Sequence, residues 1–215
     1  YEAYGTEDFD DLYLKYEADK TIPKKTVAAQ DLFGDLLKER AETGRIYIMN
    51  LDHCNSHSSF KDKVSMSNLC QEITLPTTPI QDIHDDQGEI ALCILSAVNV
   101  GGLNDLGELE NICDLAVRAL EQIIDYQDYP VKAAEVSTKR RRSLGIGYIG
   151  LAHYLAKHGV KYSDPKAWDL VDRLSEAFQF HLLKASNNLA KEKGKCEAFD
   201  RTKYADGLLP IDHYK

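Results

Sequence analysis

The chain has 215 residues, 43% apolar and 28% charged, enough for one large domain or two small ones with a core that needs no disulfide or metal staple. A formal net charge of −9 argues against a non-specific nucleic-acid binder or a protein of anionic membrane surfaces. The longest apolar run, residues 90–98, is too short to span a bilayer. No secretory signal opens the chain, and five scattered cysteines do not form a disulfide framework, so a reducing cytoplasm is expected.

Residues 1–20 carry seven acids against two lysines. Phe9, Leu12, Tyr13 and Tyr16 recur at helical spacing and predict a short surface helix, broken at Ile22-Pro23. A second helix follows, with Val27, Phe33, Leu36 and Leu37 on one face and Gly44 as its C-cap. Residues 45–50 read as a buried strand and residues 51–66 as loop. Alternation over 68–75 predicts a strand, and the run 90–98 a second, fully buried one, with a Pro, Asp and Gly loop between. Asp105-Leu-Gly-Glu108 has the spacing of a capping box and opens a helix through Leu109, Ile112, Leu115, Ala116, Ala119, Leu120 and Ile123. Residues 126–137 read as a loop around Pro130, and 138–158 as helix despite three glycines. Ser163-Asp-Pro165 starts a long helix that Gly194 ends. The chain is therefore expected to be mixed α/β, with no composition break that forces a domain boundary.

Four groups of residues could carry chemistry. Gly145-x-Gly147-x-x-Gly150 matches the dinucleotide fingerprint in letters only, because Lys139-Arg-Arg-Arg142, not a strand, precedes it. A glycine-faced helix packed on its neighbours is the expectation there. His53-Cys54-x-x-His57 offers three metal ligands, but a structural zinc site wants four and no second knuckle exists; polar residues beside a strand are the simpler reading and no metal is assigned. In an extended chain Asn68, Cys70 and Glu72 would share one face, about 6.5–7 Å apart in succession. A thiol can give or take hydrogen, a carboxylate can act as a base towards a hydroxyl, and an amide can fix a substrate's pose. The alternative is a polar strand edge holding a small buried cysteine. Cys93 lies in an apolar strand and gains interest only if it faces Cys70; Cys113 and Cys196 are read as structural.

Several segments together resemble one family, the large catalytic subunit of class I ribonucleotide reductase. They are Thr43-Gly-Arg-Ile-Tyr-Ile48, Asp52-His-Cys-Asn-Ser-His57, Ser67-Asn-Leu-Cys-Gln-Glu72 with Leu75-Pro-Thr77, and Gly88-Glu-Ile-Ala-Leu-Cys93. Asp125-Tyr-Gln-Asp-Tyr-Pro130, Arg141-Arg-Ser-Leu-Gly-Ile-Gly147 and Gly207-Leu-Leu-Pro-Ile-Asp212 continue the match in order. The resemblance implies part of a ten-stranded α/β barrel, made of two five-stranded halves, with a radical-cysteine finger loop inside. Residues 1–215 would be its central part: a helical lead-in over 1–44, strands and finger loop over 45–103, and a mostly helical stretch over 104–215.

The same resemblance implies the roles. Cys70 would become a thiyl radical and remove the 3′ hydrogen of a ribonucleoside diphosphate. Glu72 would deprotonate the 3′ hydroxyl, and Asn68 would hydrogen-bond the ribose. Cys93 would be one thiol of the redox pair that reduces the 2′ position. Arg45 and Tyr47 match a segment near the radical-delivery route and receive no catalytic role. No cofactor would be bound in this chain. A separate metal-containing small subunit would supply the radical, and thioredoxin or glutaredoxin the reducing electrons. The remaining segments of the large subunit would be further partners. The other reading is a scaffold or interaction fragment with a vestigial site; the intact Asn68, Cys70, Glu72 and Cys93 favour the catalytic one.

Overall fold

The computed structural model describes Ala3 and residues 8–214. The chain divides into two compact units, residues 1–58 and 59–215. The first holds three helices: α1 (Asp8–Ala18), α2 (Ala29–Thr43) and α3 (Leu51–His57). Gly44 ends α2 in the left-handed region, φ 66°, and its N–H returns to the Arg40 carbonyl, as its place after the last apolar residue foretells. Residues 45–50 are not the buried strand expected: they form no ladder, and Tyr47 and Ile48 are about half exposed. The next stretch, read as loop, contains α3, a single two-turn helix.

The second unit is built on two parallel strands, β1 (Ile94–Asn99) and β2 (Leu144–Ile149), in the register Ile94↔Leu144 through Asn99↔Ile149. Parallel neighbours need a crossover, and here it contains α4 (Leu109–Tyr126) and α5 (Lys132–Arg141). The helices α6 (Leu151–Lys157) and α7 (Pro165–Lys193) follow. Asp105 caps the turn before α4 by accepting from the Gly107 N–H at 2.7 Å, while Glu108 reaches back one residue further than a capping box would, to Asn104. Leu109, Cys113, Val117, Leu120 and Ile124 form the buried stripe of α4. Each such side chain contributes about 1.5–3 kcal/mol of apolar burial.

Leu109 and Cys113 of the stripe pack with Leu174 and Phe178 of α7 against Val98, Ile146 and Tyr148 on one face of the strand pair. The Tyr148 ring stands edge-on to Phe178, 5.5 Å between centroids. At the start of α7, Pro165 occupies the first turn and the Asp164 carboxylate accepts from the Lys166 N–H at 3.0 Å, as the Ser-Asp-Pro signal requires.

Three expectations are corrected here. Residues 132–137, read as loop, are the first part of α5. Residues 138–158 are not one helix. The chain leaves α5 at Arg142, whose left-handed conformation (φ 49°) breaks the turn, then runs as β2 and re-enters helix only at Leu151. Gly145 and Gly147 therefore lie on a strand, not a helix face, and Gly150 with φ 81° makes the turn into α6. The apolar run 90–98 is strand only from Ile94, and its exposure alternates instead of being uniformly low. Ile94, Ser96 and Val98 face the helices; Leu95, Ala97 and Asn99 face away. The strand pair belongs to a mixed α/β fold; among the described residues it is the extent of the regular sheet.

Candidate thiol site

Asn68, Cys70 and Glu72 do not lie on a strand. Residues 68–71 form a turn in which the Gln71 N–H donates to the Asn68 carbonyl at 3.1 Å, and Gln71 takes a left-handed φ of 64°. The Asn68 side chain closes the loop by accepting from the Ile73 N–H at 3.0 Å. An asparagine that supplies its own backbone with an acceptor competes with a ladder, which is why the alternating pattern fails here. Pro76 and Pro79 then withhold two donors from any continuing strand. The result is a short loop with Cys70 exposed near its tip and Glu72 exposed on its descending side. Asn68 thus uses its side-chain oxygen to hold the loop.

Cys93 sits just before β1, half-buried, with its Sγ 3.9 Å from the Ile94 carbonyl. By alternation it shares the face of Leu95 and Ala97, turned away from α4 and α7. Burial pushes its thiol up, and the Glu72 carboxylate adds to the effect. The structure thus brings the acid of the loop and the thiol of the strand into one electrostatic neighbourhood. A thiol held protonated keeps its hydrogen at neutral pH, which suits hydrogen donation better than thiolate attack. Cys70 and Cys93 are both free thiols. The Cys113 thiol, fully buried on α4, is pushed up to about 11 by burial, and burial also raises that of Cys196; both behave as packing. On α3, His57 Nδ1 lies 2.9 Å from Ser56 Oγ and 3.1 Å from the His53 carbonyl. Among the described residues no three metal-binding side chains converge.

A buried ionic clamp is centred on Glu89, between that loop and β1 in the chain, and sequence reasoning missed it. Thr78 and Glu89 pair backbone to backbone at 3.0 Å in both directions, closing residues 79–88. The Glu89 carboxylate, 2% exposed, meets Arg141 of α5 and, at 3.1 Å, Arg140. Arg141 also holds Asp62 at 2.9 Å and lies over the Phe60 ring, 5.0 Å from its centroid. Asp62 is bound in turn by Arg201 at 2.9 Å. Burial alone would raise both carboxyls, but the arginine hydrogen bonds and charges outweigh it and hold both below their ordinary values. The available signal was the Arg140-Arg141-Arg142 run: on a helix its middle member shares a face with Ser137 and Thr138, and all three are buried. Arg142 goes the other way, to Glu121 and Asp125 of α4. Together they fix where residues 89–93 and β2 start.

The second unit is thus a mixed α/β unit with an exposed loop thiol, Cys70, a loop carboxylate, Glu72, and a half-buried thiol, Cys93, at the start of β1. The chain belongs to the ribonucleotide reductase barrel-domain family, whose model matches residues 1–215. It is 59% identical to the ribonucleoside-diphosphate reductase subunit alpha of Haemophilus influenzae, and 54% to the ribonucleoside-diphosphate reductase 1 subunit alpha of Escherichia coli, in each case over 100% of this chain and 29% of the relative. The corresponding subunit of Enterobacteria phage T4 is 41% identical over 96% of this chain and 27% of its own length. The chain thus spans less than a third of the curated relatives it matches.

Proposed function

We propose that this chain supplies the reaction loop and one reductant thiol for the reduction of ribonucleoside diphosphates to deoxyribonucleoside diphosphates. The observation that carries the reading is the short loop that gathers Asn68, Cys70 and Glu72, closed by the Gln71 N–H to the Asn68 carbonyl and the Ile73 N–H to the Asn68 side chain. Cys70, exposed near the loop tip, takes the 3′ hydrogen as a thiyl radical in this reading. Glu72 takes the 3′ hydroxyl proton, and Asn68 Nδ2 holds the ribose. Cys93 and a second cysteine thiol then give up two hydrogens. One replaces the 2′ hydroxyl and the other leaves with it as water, the two sulfurs join as a disulfide, and Cys70 and Glu72 return the 3′ hydrogen atom and the 3′ hydroxyl proton, which leaves Cys70 as the thiyl radical again. A thioredoxin- or glutaredoxin-type dithiol returns that disulfide to two thiols. The radical comes from a separate metal-containing small subunit. In this reading β1 and β2 are neighbouring strands of a ten-stranded barrel, and residues 68–73 are the finger loop inside it.

Cys70→Ser in a complete assembly carrying this segment tests the reading. The O–H bond is too strong for the same hydrogen transfer, so deoxynucleotide formation is expected to fall to background with the circular dichroism spectrum unchanged. Turnover above background would overturn the thiyl assignment.

A further inference from the structure

The outer face of the strand pair holds a glycine that no turn explains. Gly145 pairs directly with Leu95, the second pair of the parallel register, and its φ is not in the left-handed region. Glycine weakens a strand interior, so its presence there marks a close approach by something else. The approaching atoms are identifiable. A Cβ on residue 145 would fall 2.7 Å from Cys93 Sγ and 2.5 Å from Leu95 Cδ2, both inside van der Waals contact. Gly147, two residues on and on the same face, offers a contrast: a Cβ there would meet nothing within 4 Å. The requirement is therefore local to the Cys93 sulfur and the leucine beside it, not general to the strand.

We propose that Gly145 is a positioning residue, whose missing side chain leaves the space in which the Cys93 sulfur sits. This rests on the reading of Cys93 as a reductant thiol. Neither clashing atom is backbone: Leu95 Cδ2 ends a flexible side chain, and Cys93 Sγ can turn about its Cα–Cβ bond. Alanine at 145 is thus accommodated by moving the sulfur, and the fold survives. The sulfur would leave its half-buried place beside the Ile94 carbonyl and change its distance to Glu72. A misplacement of about 1 Å at a reacting atom costs on the order of 10²-fold in rate.

The test compares four variants in a complete reductase assembly carrying this segment. Gly145→Ala is expected to lower kcat by about 10²-fold while the KM for the diphosphate substrate changes little, because ribose and phosphate contacts are untouched. Disulfide formed at Cys93 in a single turnover without reductant should fall in parallel, read by non-reducing mass spectrometry. Gly147→Ala, on the same strand face, should keep wild-type disulfide formation. In the double variant Gly145→Ala/Leu95→Ala the larger clash is gone but the sulfur is still displaced, so kcat should stay low; this variant also carries the test if Gly145→Ala alone does not fold. Restored kcat in the double variant, or normal kcat and normal Cys93 oxidation in Gly145→Ala, would overturn the positioning role. Cys93→Ser separates the two levels: a dead Cys93→Ser with a normal Gly145→Ala removes the inference alone, whereas an active Cys93→Ser removes the functional reading beneath it.

Discussion

Replacing Arg141 by methionine should expose how much of the site's frame rests on one buried charge. The guanidinium is 2% exposed and touches Glu89, itself 2% exposed, and Asp62 at 2.9 Å. Methionine keeps much of the stem that packs by Phe60 but removes the charge. Asp62 retains Arg201 at 2.9 Å, and Glu89 retains Arg140 at 3.1 Å, so neither acid is wholly abandoned. Breaking a buried pair costs about 3–5 kcal/mol, and the surviving arginines place this one near about 3 kcal/mol. In a domain of this size that corresponds to a fall in Tm of roughly 6–12 °C.

The pH dependence gives the sharper signature. In the wild type the Glu89 carboxyl is held below its ordinary value of 4.5, so its contribution is complete above that pH and is lost as pH falls through the lower folded value. Without Arg141, burial dominates and raises the group, so protonation in acid relieves the variant earlier. The gap in Tm between the two proteins should therefore begin to narrow above pH 4.5, where the raised carboxyl of the variant takes its proton, and narrow further as pH falls through the lower wild-type value, measured by circular dichroism melts across the acid range. An unchanged Tm at pH 7, or a gap that does not depend on pH, would refute the clamp.

Two further outcomes follow from the same geometry. Glu72→Gln should slow turnover by roughly 10²–10⁴-fold with little change in substrate KM, because the amide keeps a hydrogen bond but cannot take a proton; a near-normal kcat would remove Glu72 from the chemistry. Asp164→Ala should lower stability by about 1 kcal/mol through loss of the bond to the Lys166 N–H, read in denaturant melts; an unchanged midpoint would show that Pro165 alone starts α7.

The helices were legible because their signals are local. Asp164-Pro165 and Gly194 bracket α7, and Gly44 ends α2, within one turn of where composition puts them. The strand β2 was not, because residues 144–152 are an unbroken apolar and glycine run and only pairing with β1, 50 residues earlier in register, makes the first part extended. The Asn68–Cys70–Glu72 pattern was misread in its geometry. Their alternation suggested a shared strand face, whereas an asparagine side chain and a left-handed Gln71 fold them into a loop. The clamp of Glu89, Arg141 and Asp62 joins residues 79 and 52 positions apart, a separation that leaves no local pattern to read.

The central claim, that Cys93 is a reductant thiol and not merely packing, is tested most directly by oxidation state. A complete assembly carrying this segment is given diphosphate substrate and a radical source but no external reductant, allowed one turnover, quenched by alkylation and analysed by non-reducing mass spectrometry. The account expects Cys93 in a disulfide, with Cys113 and Cys196 alkylated as free thiols after denaturation. Cys93 recovered as a free thiol after deoxynucleotide has formed would contradict it.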